Sequence, residues 1–198
     1  MILSNVEIIK CLNEGLFTID PLPHTDPTQA PYNTSAIDLR LGTEITIPVN
    51  NSPTAIDIRK GGIASYLTNQ SRRITISEDQ PYTLRGGSFV LGNTRERVNF
   101  PIERGQKCYS ARVEGKSSLA RCGILIHFTA PTIHAGFEGT ITLEITNLGP
   151  LTFLLYPDMA ICQLIIEEVS GCPADIPSQF QGQNTPAGIK LGNTCKVR

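Results

Sequence analysis

The sequence predicts a mainly β fold, and two observations carry this prediction. Short apolar stretches bounded by turn-forming residues recur about every 8–12 residues, as in sandwiches and barrels. The composition agrees, because the 198 residues include 17 Gly and 14 Pro but no Trp. This length suffices for one sizeable core, so we predict a single domain over residues 1–198. The polar, glycine-rich residues 171–198 are predicted to be a mobile C-terminal segment.

Charge, apolar runs and cysteines argue against several classes of protein. A net charge of −1 argues against a nucleic-acid partner bound through a large basic field. Since no apolar stretch approaches the roughly 20 residues that cross a bilayer, and the start MILSNVEIIK lacks a cationic leader, we expect neither a membrane span nor a signal peptide. The six cysteines are scattered without the close pairs of a zinc site, which predicts reduced thiols and a cytoplasmic protein.

The first element is predicted to be a short helix. Ser4 and Glu7 form a capping box, in which the hydroxyl and the acid three residues later bond the free N–H groups of the first turn. Gly15 is placed to end this helix. The four prolines of Asp20–Tyr32 then predict an irregular surface segment.

Alternating or apolar stretches predict the strands. Ser35–Gly42 alternates as a half-buried strand does, and we interpret its outward Asp38 and Arg40 as architectural. Gly61-Gly62 is predicted to be a turn and Val98–Ile102 a loop. The other predicted strands are Glu44–Val49, Arg73–Ile76, Ser88–Gly92, Cys108–Val113, Ile124–Phe128, Thr140–Thr146, Pro150–Tyr156 and Ile161–Glu167.

The segment Gly115–Arg121, with the sequence GKSSLAR, is a candidate anion site. Residues four apart on a helical turn face the same side, so Ser117 and Arg121 point together if the segment coils. The free backbone N–H groups of such a turn, with Lys116 beside them, would attract an anion. The alternative is a solvated loop without a ligand.

The strand Thr140–Thr146 carries a lone carboxylate. Ile141, Leu143 and Ile145 share one face, and Glu144 lies on the other face among threonines. A carboxylate held on a rigid strand near an anion site indicates a small polar site, although a strand glutamate often only faces water.

These residues together resemble the dCTP deaminase family, a branch of the trimeric dUTPase superfamily. The shared signature is Gly-Arg-Ser-Ser-Leu-Ala-x-x-Gly, then a turn with Ala-Gly or Pro-Gly, then a strand that ends in Asn. The deaminase branch adds an arginine and a strand glutamate, which here are Arg121 and Glu144. Ser35–Gly42 also resembles a strand of the family. The resemblance implies a distorted jelly-roll-like β-barrel of the dUTPase-like, β-clip type that assembles as a homotrimer with sites at subunit interfaces.

The resemblance implies the hydrolytic deamination of dCTP to dUTP and ammonia, a step in nucleotide metabolism that feeds thymidylate synthesis. The H-x-E…P-C-x-x-C pattern of zinc deaminases is absent, so we expect no zinc. By the resemblance, Glu144 is the general base, the Ala130 carbonyl and the Ser117 hydroxyl hold the attacking water, and Arg121 orients the glutamate. Such a base is worth roughly 10²–10⁴ in rate.

The resemblance also assigns the nucleotide-binding residues. Mg²⁺ is expected to arrive with the triphosphate and to keep mostly water ligands. The C-terminal segment, which includes Ser178-Gln179-Phe180-Gln181-Gly182-Gln183, is expected to fold over the triphosphate. The implied substrate- and phosphate-binding residues are Lys116, Ser118, Thr132, Ile133, His134, Phe137, Phe180 and Gln183.

Three departures from the family pattern leave alternatives open. Lys116 replaces the usual arginine, Gln179 replaces a common lysine, and His134 replaces the usual aspartate, which in dUTPases contacts the sugar and helps to activate water. His134 is either a turn residue satisfied by its neighbours or a substitute ligand for the sugar. The first alternative function is therefore a dUTP diphosphatase, or a bifunctional enzyme that forms dUMP. The second is a nucleotide-binding regulator without catalysis, and dTTP inhibition is a further property of the family.

Overall fold

The computed structural model describes residues 1–49, 55, 57, 59, 66, 67, 69–176 and 180–186. The described helices are α1 (Asn5–Asn13) and the single turn α2 (Ser117–Ala120). The described strands are β1 Thr18–Asp20, β2 Tyr32–Asn33, β3 Ala36–Arg40, β4 Glu44–Pro48, β5 Ser71–Thr75, β6 Tyr82–Leu84, β7 Phe89–Asn99, β8 Cys108–Gly115, β9 Ile124–Ile126, β10 Thr132–Ile133, β11 Glu138–Asn147, β12 Phe153–Leu155 and β13 Ala160–Val169.

Two large antiparallel sheets contain most of these strands. In the first sheet the order is β5-β4-β7-β11-β9, and β1 also pairs with β7. In the second sheet the order is β10-β8-β13-β3-β2, while β12 and β6 form a separate pair. The mainly β prediction is therefore confirmed, and the pairings among the described residues form open sheets rather than a closed barrel.

One hydrophobic cluster joins the two large sheets. It includes Ile141, Leu143 and Ile145 of β11 together with Leu39 of β3 and Leu164 of β13, all essentially inaccessible to solvent. Burial alternates along the whole of β11, as the sequence predicted. Because full burial of each such aliphatic side chain contributes about 1.5–3 kcal/mol, this alternation fixes the face of β11 that remains for chemistry.

A buried ion pair ties the two sheets together. Glu96 on β7 is 1% exposed, and its carboxylate accepts from Arg40 Nε at 2.6 Å and from the Arg40 backbone N–H at 2.8 Å. Arg40 lies on β3 in the other sheet. This ion pair agrees with the interpretation of Arg40 as an architectural residue, and its partner Glu96 lies within the same chain.

The N-terminal helix follows its predicted signals. The Ser4 hydroxyl accepts from the Glu7 backbone N–H at 3.3 Å, and Ile8, Ile9 and Cys11 are buried. Gly15 follows the C-cap residue with a left-handed φ of 72°. No helix among the described ranges is both long and apolar enough to cross a membrane.

Several strand boundaries differ from the sequence prediction, and two of the differences have a clear structural cause. Val98 and Asn99 were predicted to be a loop but belong to β7, because both β1 and β11 pair with this end of the strand. The strand predicted through Phe128 ends at Ile126, because His127 adopts a left-handed φ of 56° that an extended strand does not allow. The predicted Gly61-Gly62 turn lies outside the described residues.

Candidate active site

Glu144 projects from the face of β11 that is opposite the core. Its neighbours on this strand, Leu143 and Ile145, are buried, whereas the Glu144 side chain is 32% exposed. Pairing with β7 places Glu144 opposite Leu91, near the middle of the first sheet. The carboxylate is therefore held on a rigid element and is still accessible, as the alternation of the sequence predicted.

His127 contacts Glu144 through both the main chain and the side chain. The His127 backbone N–H donates to the Glu144 carbonyl at 2.8 Å, which extends the β9–β11 pairing by one residue. Its Nδ1 lies 2.8 Å from Glu144 Oε2, and the His127 side chain is only 7% exposed. The ring N–H is poorly aligned with the carboxylate oxygen, so the side-chain contact is a close polar contact rather than a well-formed hydrogen bond.

Two opposing effects act on the Glu144 carboxyl. Burial acts to raise the pKa of Glu144, but the contact with His127 and the charge of that ring outweigh burial and hold the pKa below its ordinary value. Glu144 is therefore an ionised carboxylate at neutral pH. It can accept a proton, which is the property that a general base requires.

The GKSSLAR segment coils as predicted. The backbone N–H of Arg121 donates to the Ser117 carbonyl at 3.2 Å, so these residues stack on one side of α2. Ser117, Ser118 and Arg121 are exposed. Among the described residues, no hydrogen bond or ion pair connects Ser117 or Arg121 with Glu144. Among the described residues of one chain, the side chain that contacts the carboxylate is that of His127.

A cavity of about 380 Å³ lies between α2 and β9. Gly115 and Ala120 line it from the GKSSLAR segment, His127 and Phe128 from the end of β9, and Pro131 from the following turn. Its volume is within the range of small-molecule sites. Because His127 lines this cavity and also contacts Glu144, the cavity lies next to the candidate base.

The turn after β9 contains the other predicted site residues. The exposed residues Ala130, Thr132 and His134 alternate with more buried positions. Ile133 is buried on β10, which pairs with β8, and Phe137 is buried just before β11. The His134 carbonyl accepts from the Phe137 N–H at 3.2 Å and closes the turn, whereas the exposed imidazole remains accessible.

Residues 181–183 of the C-terminal segment pack along the start of β11. Thr140 N–H donates to the Gln183 carbonyl at 3.0 Å, and Gly182 N–H donates to the Glu138 carbonyl at 2.6 Å. The Gln183 side chain is also engaged, because its Nε2 donates to the Thr140 carbonyl at 2.8 Å. Gln183 is thus buried against β11, and Phe180 is 38% exposed. Ser178 and Gln179 lie outside the described residues.

Lys116 has an ion-pair partner that the sequence did not reveal. Its ammonium contacts the carboxylate of Asp38, which lies on β3 beside β13. The sequence also did not reveal the contact of His127 with Glu144. Both contacts depend on which strands pair and in what register, and no local spacing encodes them. Within the described ranges, no group of three or more His, Cys, Asp or Glu side chains is arranged to hold a metal ion.

Comparison with known proteins gives consistent similarities. A sequence model of the family described as "dCTP deaminase-like" matches residues 2–169. A protein of Methanosphaera stadtmanae named "dCTP deaminase, dUMP-forming" is 36% identical, over 96% of this chain and 93% of that protein. A protein of Haloarcula marismortui named "dCTP deaminase" is also 36% identical, over 96% of this chain and 95% of its own length.

The fold is similar to that of a solved protein. The crystal structure of 2'-deoxycytidine 5'-triphosphate deaminase from Agrobacterium tumefaciens superposes with a TM-score of 0.59 at 20% identity. The match covers 83% of this chain and 47% of that chain, so this chain spans about half of that protein's length. At this identity the likeness concerns the fold alone, and it confirms the predicted class.

Proposed function

The chain belongs to the dCTP deaminase-like family, and on that premise we propose that it catalyses the hydrolytic deamination of dCTP. The observation that supports this proposal best is the ionised, strand-held carboxylate of Glu144 beside a cavity of about 380 Å³. In the proposed reaction Glu144 takes a proton from a water molecule, and the water oxygen bonds to C4 of the cytosine ring. The proton returns to the ring nitrogen or the amine, the bond from C4 to the exocyclic nitrogen breaks, and ammonia leaves.

We assign the remaining catalytic roles by chemistry and family resemblance. The Ser117 hydroxyl and the Ala130 carbonyl would hold the attacking water, and Arg121 would orient the carboxylate. Because Arg121 and Glu144 are not in contact within one chain, we propose a homotrimer in which neighbouring subunits complete each site. His127 then has the role of keeping Glu144 ionised, through the contact of 2.8 Å.

The triphosphate is assigned to the polar residues around α2. Lys116 and Ser118 supply a cation and a hydroxyl, which suit phosphate oxygens rather than a bare metal ion. The triphosphate itself would carry Mg²⁺, with water completing its coordination. Gln183 would contact phosphate only after leaving the Thr140 carbonyl. We expect an enzyme that needs no zinc and works in the cytoplasm.

Two products of the reaction, dUTP and dUMP, have to be distinguished. The relative from Methanosphaera stadtmanae is named as forming dUMP, which favours a second candidate function in which dUTP is hydrolysed further to dUMP and pyrophosphate. The relative from Haloarcula marismortui is named as a dCTP deaminase only. His134 in place of the family aspartate weighs against the second step, so we propose dUTP as the main product.

A product assay tests these proposals. Purified protein is incubated with Mg²⁺ and dCTP, and ammonia, pyrophosphate and the nucleotides are followed together. Ammonia with accumulating dUTP is the expected result, whereas ammonia with dUMP and pyrophosphate would establish the bifunctional reaction. Binding of dCTP or dTTP without ammonia would refute the enzyme and support a regulator. When the assay is repeated with a Glu144→Gln variant, the matched control is Glu168→Gln, which removes a carboxylate on the other large sheet that pairs with Lys107 at 3.0 Å.

A further inference from the structure

The ion pair between Lys116 and Asp38 is more shielded from solvent than most of the ion pairs among the described residues. The Lys116 and Asp38 side chains are 22% and 16% exposed, and the Lys116 ammonium contacts Asp38 Oδ2. By comparison, the Lys107 and Glu168 side chains of another pair are 63% and 30% exposed. The shielded pair also joins Lys116, the residue just before α2, to a strand 78 positions earlier in the sequence.

Neighbouring strands hold the Asp38 carboxylate independently of the lysine. Asp38 Oδ1 accepts from Asn33 Nδ2 at 2.8 Å and from Gln163 Nε2 at 3.0 Å. These two amides come from β2 and β13, which flank β3. They fix the direction of the carboxylate and leave Oδ2 for the ammonium of Lys116. The carboxylate is therefore held in a fixed orientation that suits a cation, which distinguishes this contact from a chance ion pair on the surface.

We propose that Asp38 is a positioning residue, which holds Lys116 in place to bind the polyphosphate end of the nucleotide. A free lysine side chain loses up to about 2 kcal/mol of conformational entropy when it is ordered, and here Asp38 has already ordered it. The ammonium has three N–H donors, so one can bond Asp38 while the others face phosphate oxygens. This inference rests on the proposed function, because it deepens the role assigned to Lys116.

The same arrangement explains how lysine can stand in the GKSSLAR segment where arginine is usual in the family. Arginine presents a planar fork that grips phosphate in a fixed direction, whereas lysine carries a point charge on a flexible chain. An external carboxylate supplies the direction that the lysine side chain lacks. Asp38 thus acts on the ligand through Lys116 and does not touch the ligand itself.

The variant Asp38→Asn tests this role. Asparagine keeps the shape, and its oxygen can accept from the amides of Asn33 and Gln163, but its NH₂ group then faces Lys116 and cannot accept. We expect an about tenfold rise in the Kd for dCTP measured by calorimetry. The affinity for deoxycytidine, which has no phosphate, and kcat at saturating dCTP should stay within about twofold. The control Glu168→Gln makes the same chemical change at the Lys107 pair and should leave all three values unchanged.

A double variant separates positioning from a purely structural role. In a Lys116→Met background, Asp38→Asn should produce no further loss of dCTP affinity, because residues that act as a unit are not additive. If Asp38→Asn fails to fold, Asn33→Ala removes one anchoring amide at an exposed position and should weaken dCTP binding by a smaller factor.

Several results would overturn the inference. These are unchanged or tighter dCTP binding in Asp38→Asn, an equal loss for deoxycytidine, or a further loss of dCTP affinity in the Lys116→Met background. A wild-type protein that binds dCTP but releases no ammonia would refute the proposed function, and the binding data would still decide the role of Asp38. A wild-type protein that does not bind dCTP would refute both.

Discussion

Replacing Glu144 by glutamine tests the proposed base with little change of shape. The side chain is 32% exposed, and its oxygen could still face His127 Nδ1 at the present 2.8 Å. Glutamine cannot take up a proton at neutral pH. Removing a general base lowers a rate by roughly 10²–10⁴, which corresponds to about 3–5 kcal/mol in activation free energy. Ammonia release at saturating dCTP should fall by this factor, while the Kd for dCTP measured by calorimetry should change little.

The same variant has a defined signature in stability. The folded pKa of Glu144 is lowered, because the contact and charge of His127 outweigh burial, so its charge stabilises the fold above the unfolded pKa. This contribution is lost as the pH falls through the folded pKa. The difference in unfolding free energy between wild type and Glu144→Gln should therefore be about 1 kcal/mol at neutral pH and should shrink in acid.

Two results would refute this reasoning. A variant that retains more than about a tenth of the wild-type rate would exclude Glu144 as the base, since a true base contributes far more. A variant that loses dCTP binding along with ammonia release would assign Glu144 to substrate binding instead.

Three further predictions concern other parts of the chain. In His127→Asn, which tolerates the left-handed backbone, the acidic limb of the pH–rate profile should move to higher pH because burial then dominates the pKa of Glu144; an unmoved limb would exclude the electrostatic role. In Gly139→Ala, the added Cβ would lie 3.0 Å from the Gln183 carbonyl oxygen, so hydrogen exchange of residues 180–186 should speed up, and unchanged protection would contradict the packing on β11. In Glu96→Gln, Arg40 loses its carboxylate partner but stays 30% exposed and close to Asp158, so the loss in urea unfolding should be about 1.5–3 kcal/mol, and a loss under about 1 kcal/mol would mean that the ion pair between the sheets stabilises little.

The sequence predicted those elements that local chemistry determines. The period of two in Thr140–Thr146 fixed both the strand and the face of Glu144, because a strand buried on one side has no other register. Ser4 and Gly15 bracketed the first helix, since hydroxyl caps and left-handed glycines act on their own turns. The single turn at Ser117–Ala120 was likewise predictable from its own residues.

The partners of the site residues could not be predicted in the same way. His127 reaches Glu144 only because β9 pairs with β11 in the register that sets Ile126 opposite Ile145. Asp38 reaches Lys116 only because β3 and β8 both flank β13. Periodicity also missed the extension of β7 to Asn99, since only pairing with β1 and β11 makes that end a strand. These features depend on long-range order, which a single sequence does not display.

The left-handed φ of 56° at His127 limits which residues can replace this histidine. Glycine, asparagine and aspartate adopt that backbone readily, but none of them supplies an imidazole. Valine or isoleucine would lose the contact with Glu144 and would also strain the main chain. Few single substitutions at position 127 would therefore preserve both the left-handed turn and the contact with Glu144. Directed evolution of this enzyme would be expected to retain His127 and to vary the exposed positions around it.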